Sequence, residues 1–298
     1  MKHLLSIESL DAAEIHQILD LTVKMKAERG HHTAHPLHNQ CWAMIFSKSS
    51  TRTRVSFEVG IRELGGDVMF LSSGEIQLGR GEPIKDTARV MGRLLHGAVI
   101  RTFAQSDVVE FAKYGGIPTI NALTDEEHPC QILADLFTIK EKLGTLEGKT
   151  VCFSGDGACN VPRSWIWAAG KMGMILKIAA PLKYQPDPEL LAKAGGRIEV
   201  TENLRDAAHG ADVVYTDVWV SMGKEAEAEQ RLVELIGYQI NSRIVGLAAP
   251  GALVMHCLPA YRGKEITDEI FEQNSQTIFD QAENRLHAQK AVMSLLVH

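Results

Sequence analysis

Basic residues are in the minority: 31 lysines and arginines stand against 37 aspartates and glutamates, for a formal charge of -6. That balance argues against a general nucleic-acid binder, which needs a basic excess to meet phosphates. It leaves room for a local basic pocket that takes a small anion. No uninterrupted apolar run approaches the roughly 20 residues of a membrane span, so no membrane partner is expected. The opening Met1-Lys2-His3-Leu4-Leu5-Ser6 lacks the apolar stretch of a secretory signal. Cysteine is sparse and odd in number, at Cys41, Cys130, Cys152, Cys159 and Cys257. No spacing among the five resembles a zinc site, and the pattern suits reduced thiols in a cytoplasm better than a disulfide framework. The chain has no convincing internal repeat and no low-complexity tail.

What is present is an ordinary globular composition, 45% apolar and 23% charged over 298 residues. That length favours two domains with ample core. Short apolar runs alternate with amphipathic stretches, the rhythm of an α/β protein. Residues 11–28 read as a helix. Asp11 and Glu14 form a capping-box pattern, Ile15, Ile18, Leu19, Thr22 and Met25 form the stripe, and Gly30 is a plausible stop. His31, His32, His35 and His38 follow. They read as a polar surface loop, with a metal site as the alternative. Strands are predicted at 41–46, 68–71, 98–101 and 117–121. Helices are predicted at 51–64, 86–95, 107–114 and 129–143. Residues 72–83 read as a long, polar loop of the kind that often carries function. The turn at 144–149 marks a domain boundary. Further strands are expected at 150–153, 176–179, 198–201, 213–216 and 253–256, and 284–298 has helical spacing that should pack back onto the body.

Several strand ends carry chemistry. Between the strand ending at Phe46 and the helix starting near Thr51 lie Ser47, Lys48, Ser49 and Ser50. Free N–H groups and the positive dipole end at a helix start favour a phosphate-like anion. Hydroxyls of Ser and Thr can donate to the same oxygens, and Arg52 adds a planar, permanently charged fork. Arg54, two residues on, points elsewhere around the helix. A capped helix with a solvated charged face is the plainer alternative for Ser-Thr-Arg alone. Arg101 ends a strand, where parallel α/β sheets bind ligands, although a lone charge there is commonly a surface residue. His128-Pro129-Cys130-Gln131 sits where a loop becomes a helix, with Pro129 natural at the first helical position. His128 is either a cap or a donor to a carbonyl oxygen, with Gln131 one turn along. Gly155-Asp156-Gly157 has a partial dinucleotide pattern without its third glycine. Asp217 follows another strand and is a candidate partner for a substrate ammonium. Cys257, in His256-Cys257-Leu258-Pro259, is a nucleophile or a lining residue.

Taken together, Ser50-Thr51-Arg52-Thr53-Arg54, His128-Pro129-Cys130-Gln131 and Glu283-Asn284-Arg285, in that order and over nearly the whole chain, resemble the aspartate/ornithine carbamoyltransferase family. Asp217 with Ser221-Met222-Gly223, and His256 to Pro259, are similar to its ornithine branch. The resemblance implies two domains, each a mainly parallel sheet flanked by helices, with a C-terminal helix returning to the first. The divisions expected are 1–145 for carbamoyl phosphate, 146–283 for ornithine and 284–298 for the returning helix. It also implies a homotrimer, or an assembly of trimers, with sites between subunits. By likeness, Ser50, Thr51, Arg52 and Thr53 hold phosphate; Arg101, His128 and Gln131 reach the carbamoyl group; and Gln77 reaches into a neighbour's site. Asn160, Asp217, Ser221 and Met222 hold ornithine, while Cys257, Leu258 and Arg285 complete the site. Leu258-Pro259 is expected to be cis. Arg52, Arg101, His128, Asp217 and Cys257 are the expected catalytic set, and neither a metal nor an organic cofactor is required.

The family usually has Gly-Asp-Gly-Asn-Asn-Val where this chain has Gly155-Asp156-Gly157-Ala158-Cys159-Asn160-Val161, one residue longer. Val161 and Ser164 align best when the carboxylate-binding role passes to Asn160. The implied reaction carries the carbamoyl group to the δ-amine of L-ornithine, giving citrulline and phosphate in arginine metabolism. The rival readings are a sister enzyme using putrescine, lysine or acetylated ornithine, an NAD-dependent oxidoreductase resting on Gly155 to Gly157, and a non-catalytic carbamoyl-phosphate-binding regulator.

Overall fold

In the computed structural model, residues 1–72, 81–221 and 223–297 are described. The chain divides into two compact units, Met1–Phe137 with Glu283–His298, and Thr138–Ala282. The first contains α1 (Ala12–Ala27), β1 (Cys41–Phe46), α2 (Thr51–Glu63), β2 (Asp67–Ser72), α3 (Ile84–Leu94), β3 (Gly97–Arg101), α4 (Gln105–Gly115), β4 (Thr119–Leu123) and the first turns of α5 (Pro129–Leu143). Its four strands are all parallel, in the order β2-β1-β3-β4. The second contains β5 (Thr150–Ser154), α6 (Asn160–Met172), β6 (Ile175–Ala179), α7 (Pro188–Ala194), β7 (Arg197–Thr201), α8 (Leu204–Ala208), β8 (Val213–Thr216), α9 (Ala228–Leu235), α10 (Ser242–Val245), β9 (Leu253–His256), α11 (Asp268–Gln273) and the start of α12 (Ser275–Leu296). Its five strands are also parallel, in the order β7-β6-β5-β8-β9.

Local sequence explains most of these elements. Asp11 accepts from the Glu14 N–H at 2.7 Å while the Glu14 carboxylate accepts from the Asp11 N–H at 3.1 Å, so the capping box is closed on both sides. The predicted α1 stripe is the buried face. Strands β3 and β4 are buried at every position, as both faces of a parallel sheet covered by helices require. Gly97 is needed where the Trp42 ring lies across β3, since a Cβ there would sit 2.5 Å from the ring.

Three of the boundaries that differ from the sequence reading are informative. β4 starts at Thr119 rather than 117, because Pro118 has no N–H for the ladder; only its carbonyl joins, accepting from the Ala98 N–H at 2.9 Å. α3 begins at Ile84, directly after Pro83. α12 begins at Ser275, well before the expected 284, since its early turns bury Ile278 among polar neighbours that blur the apolar stripe.

The C-terminal part of α12 packs on α1 and α2. Gly60 leaves space for it: a Cβ there would meet Lys290, Met293 and Leu286 atoms at 3.3–3.4 Å. Lys290 is fully buried, donates to Glu63 at 2.5 Å and lies 2.9 Å from His32 Nε2. Burial lowers the Lys290 pKa, whereas Glu63 is lowered because Lys290 and Arg29 outweigh the opposing effect of burial. Lys26 to Asn284 (2.9 Å) and Arg29 to Glu283 (3.1 Å) extend the contact. This corrects the reading of the histidine loop. His31, His35 and His38 are exposed, but the His32 side chain is only 5% exposed and belongs to the helix-docking network. No group of His, Cys, Asp or Glu among the described residues is arranged to hold a metal ion. Among the same residues no helix is long and apolar enough to cross a membrane.

Two predictions follow from this docking face. Glu63→Ala leaves the buried Lys290 ammonium without its carboxylate and should destabilise the protein by about 3 kcal/mol, with Lys290→Met recovering part of the loss in the double variant; urea unfolding of the four proteins measures both. His287, buried on the same helix, has its pKa pushed down to about 4 by burial against the pull of Glu283. The unfolded chain, titrating near 6.5, therefore binds a proton that the fold does not. Stability should fall as pH drops from about 6.5 to about 4, by up to about 1.4 kcal/mol per pH unit from this group. His287→Phe should flatten that part of a pH–stability curve.

Candidate functional site

Each sheet has one point where successive connections leave in opposite directions. It lies between β1 and β3 in the first unit and between β5 and β8 in the second. Crevices beyond the carboxyl ends of such strands are where open α/β sheets bind ligands. Nearly all the sequence-predicted residues fall at these two places.

In the first unit β1 leads through Ser47 to the start of α2. The Ser47 N–H donates to the Arg101 carbonyl at 2.8 Å, which joins the ends of β1 and β3. Ser50 is the N-cap, its hydroxyl accepting from the Thr53 N–H at 3.3 Å. Thr51 and Arg52 are exposed, Thr53 is buried. Arg54 turns away, stacking 3.8 Å over the Phe70 ring, as the helical spacing predicts. Arg101, His128, Gln131 and Arg285 are all buried. Arg285 donates to Gln131 Oε1 at 2.6 Å and to Thr53 Oγ1 at 3.2 Å, and Gln131 passes its own amide N–H to Asp135 at 2.8 Å. The start of α5 is capped by the His128 carbonyl, which accepts from Gln131.

Burial, with the guanidinium charges of Arg285 and then Arg101, holds His128 well below the usual imidazole range. It is neutral at pH 7, so it can donate one hydrogen bond without adding a third positive charge. This end of the first unit thus gathers two buried guanidinium groups, a neutral imidazole, an amide and a helix N-terminus. That donor set suits a small anion with a carbonyl attached.

In the second unit Asp217 follows β8 and Cys257 follows β9. The Cys257 thiol donates to Asp217 Oδ1 at 2.8 Å, and the Val218 N–H donates to the same oxygen at 2.7 Å. Burial raises the Asp217 pKa, opposed by these hydrogen bonds. His256 Nδ1 accepts from the Leu258 N–H at 2.9 Å, which puts its proton on Nε2, facing Glu265 at 3.1 Å. Both side chains are fully buried. Leu258 has φ 59° and the Leu258-Pro259 bond is cis, as expected. Asn160 is the first residue of α6. Ser221 is half-buried in the segment after β8. Gln77 and Met222 lie outside the described residues.

The turn after β5 is tightly built. Gly155 has φ +129°, which favours glycine, and a Cβ there would lie in van der Waals contact with the Trp219 indole at 3.5 Å. Asp156 accepts from the Ala158 N–H at 3.0 Å, and a Cβ on Gly157 would press on Ile178 at 2.7 Å. Gly155 and Gly157 therefore serve internal packing.

Sequence reasoning passed over three buried charges beside these sites. Lys48, directly after β1, pairs with Asp125 and lies 4.3 Å from the Phe103 ring centroid. Its signal was a lysine next to an apolar strand end. Arg231 pairs with Asp156. Glu265 holds His256 and also accepts from the Tyr261 N–H at 2.5 Å. For Arg231 no local pattern marks burial, because its Asp156 partner is 75 residues away; Glu265 bonds residues only four and nine positions away, but neither pairing follows a recognised motif.

Comparison with known proteins agrees with this arrangement. Residues 2–141 match the family model described as aspartate/ornithine carbamoyltransferase, carbamoyl-P binding domain, and residues 147–296 match the one described as Asp/Orn binding domain. The chain is 56% identical over 299 residues to the ornithine carbamoyltransferase of Akkermansia muciniphila, covering 99% of this chain and 98% of that one. Among solved structures it is similar to ornithine carbamoyltransferase from Pyrococcus furiosus, with a TM-score of 0.92 and 44% identity over 99% of this chain and 97% of that one. It is likewise similar to the anabolic ornithine carbamoyltransferase of Campylobacter jejuni, with a TM-score of 0.93 and 40% identity over 99% of each chain. Two matched domains spanning almost the whole sequence, on two parallel sheets with their polar clusters at the switch points, place this chain in the aspartate/ornithine carbamoyltransferase family.

Proposed function

We propose that the protein transfers the carbamoyl group of carbamoyl phosphate to the δ-amine of L-ornithine, releasing citrulline and phosphate. The observation that carries the first half is the convergence of Thr53, Gln131 and Arg285 beside His128 at the β1/β3 switch point. The Asp217–Cys257 contact at the end of β8 supports the second. Relatives named ornithine carbamoyltransferase, matched end to end, favour ornithine over putrescine, lysine or acetylated ornithine as acceptor.

In this reading Ser50, Thr51, Arg52 and Thr53 hold the phosphate, with Gln77 of a neighbouring subunit reaching toward it. Arg101, His128 and Gln131 face the carbamoyl group, and Arg285 sets Gln131 and Thr53. Asn160, Asp217, Ser221 and Met222 hold ornithine, and Cys257 and Leu258 line the reacting end. A primary amine of the lysine kind has a pKa of about 10 in water and must lose its proton to attack; desolvation lowers that value. The free amine adds to the carbonyl carbon, and the oxyanion is stabilised by Thr53, Arg101 and His128. The carbon–oxygen bond to phosphate then breaks, and the departing phosphate takes the amine proton. The enzyme acts as a cytoplasmic homotrimer, or an assembly of trimers, in arginine metabolism.

Citrulline and phosphate should appear in equal amounts, and only with both substrates present. Putrescine, lysine and acetylornithine tested beside ornithine should give little product; turnover led by one of them would reassign the acceptor. Arg52 is exposed and has no hydrogen bond or ion pair to other described residues, so Arg52→Ala should fold normally. Its kcat should fall by about 100-fold or more if Arg52 stabilises the leaving phosphate. Unchanged turnover would sink the role given to the turn.

A further inference from the structure

Arg231 on α9 is a long charged side chain that is only 5% exposed, on a helix whose neighbouring Val233 is 74% exposed. Its guanidinium is shared among four groups from separate parts of the second unit. Nε donates to the Trp219 carbonyl at 2.7 Å. One terminal nitrogen pairs with Asp156 Oδ2, and the other approaches Glu227 at 3.4 Å. The guanidinium carbon lies 4.7 Å from the centroid of the Tyr184 ring, and the Tyr184 hydroxyl in turn donates to Glu234 at 2.5 Å.

Two of these partners matter for the site. Trp219 lies two residues after Asp217 and two before Ser221. Asp156 opens the turn that ends at Asn160, its other oxygen holding the Ala158 N–H. The Trp219 indole also lies against Gly155. One planar fork thus joins the segment carrying Asp217 and Ser221 to the turn carrying Asn160. A lysine could not reproduce this, because a single nitrogen cannot reach along both directions of the fork.

We infer that Arg231 is a positioning residue that sets the spacing between Asn160 and the Asp217–Ser221 segment, and so governs affinity for the amino-acid acceptor without touching it. This rests on the acceptor site proposed above. Asp156 also ties the turn itself together, one oxygen on the Ala158 N–H and the other on Arg231.

Initial rates on the full-length enzyme, varying each substrate in turn, test the inference. Arg231→Met should raise the ornithine KM by about tenfold or more, with the carbamoyl phosphate KM within about twofold of wild type. Arg231→Lys should recover only part of the loss, and Asp156→Asn should shift the ornithine KM in the same direction. An ornithine KM within about twofold of wild type in Arg231→Met overturns the inference, as does a parallel rise in both KM values. If Arg231→Met fails to fold, the other two variants decide by the same measure. Hydrogen exchange gives a readout independent of substrate. The Ala158 and Val218 amides should exchange faster in Arg231→Lys and Asp156→Asn than in wild type, and unchanged rates overturn the inference. Wild-type protein that makes no citrulline sinks the proposed function instead, and exchange alone then decides whether Arg231 joins the two segments.

Discussion

The guanidinium of Arg285 donates to Thr53 and to Gln131, and through those two contacts it joins three helices at one point. Thr53 belongs to the first turn of α2, Gln131 to the first turn of α5, and Arg285 to the middle of α12. None of these residues is close to another in sequence. The arrangement depends on α12 lying close against α2, which Gly60 permits and the buried Lys290–Glu63 pair holds in register. A guanidinium has fixed donor directions, so a small shift of α12 would break one bond or the other. The docking of the last helix and the geometry of the Thr53–Gln131–Arg285 cluster are therefore one constraint.

The two units solve the same problem with opposite electrostatics. Both place polar groups where the direction of strand connection reverses, because there the helices diverge and leave a crevice at the strand ends. In the first unit the buried charges are cationic, and burial, reinforced by their charge, holds His128 well below the usual imidazole range. In the second unit the central group is a carboxylate. Burial raises Asp217, but the Cys257 thiol and the Val218 N–H favour its charged form. An anion and an ammonium are the ligands that match these two environments. Glu265 and His256 stand behind the second pocket with a defined tautomer.

Much of this was legible from residue order. The Asp11 capping box, the stripe of α1 and the parallel strands at 41–46 and 98–101 follow from patterns that repeat within one or two turns. The helix start at Thr51 and the helix opening at Pro129 were equally plain. Where the elements differ from expectation, a competing rule won, local in one case and distant in two. Residues 117–121 look like a strand by composition, yet Pro118 shortens the pairing. His32 sits in a loop of polar residues, yet Lys290 of α12 draws it inward. The early turns of α12 look too polar for a long helix because they bury polar groups such as Gln281, which accepts from the His256 N–H at 2.9 Å.

The sequence alone determined the alternating α/β order, the α2 start with its hydroxyls and arginine, and the motifs that belong to the carbamoyltransferase family. Those features are short-range, set by propensity, capping and side-chain chemistry. Only the tertiary structure decided that Arg54 stacks on Phe70, that His128 is neutral, that Cys257 donates to Asp217, and that Arg231 is buried against Asp156. Each of these depends on groups brought together from distant parts of the chain, and on burial, which changes the strength of a charge without leaving a mark on its neighbours in sequence.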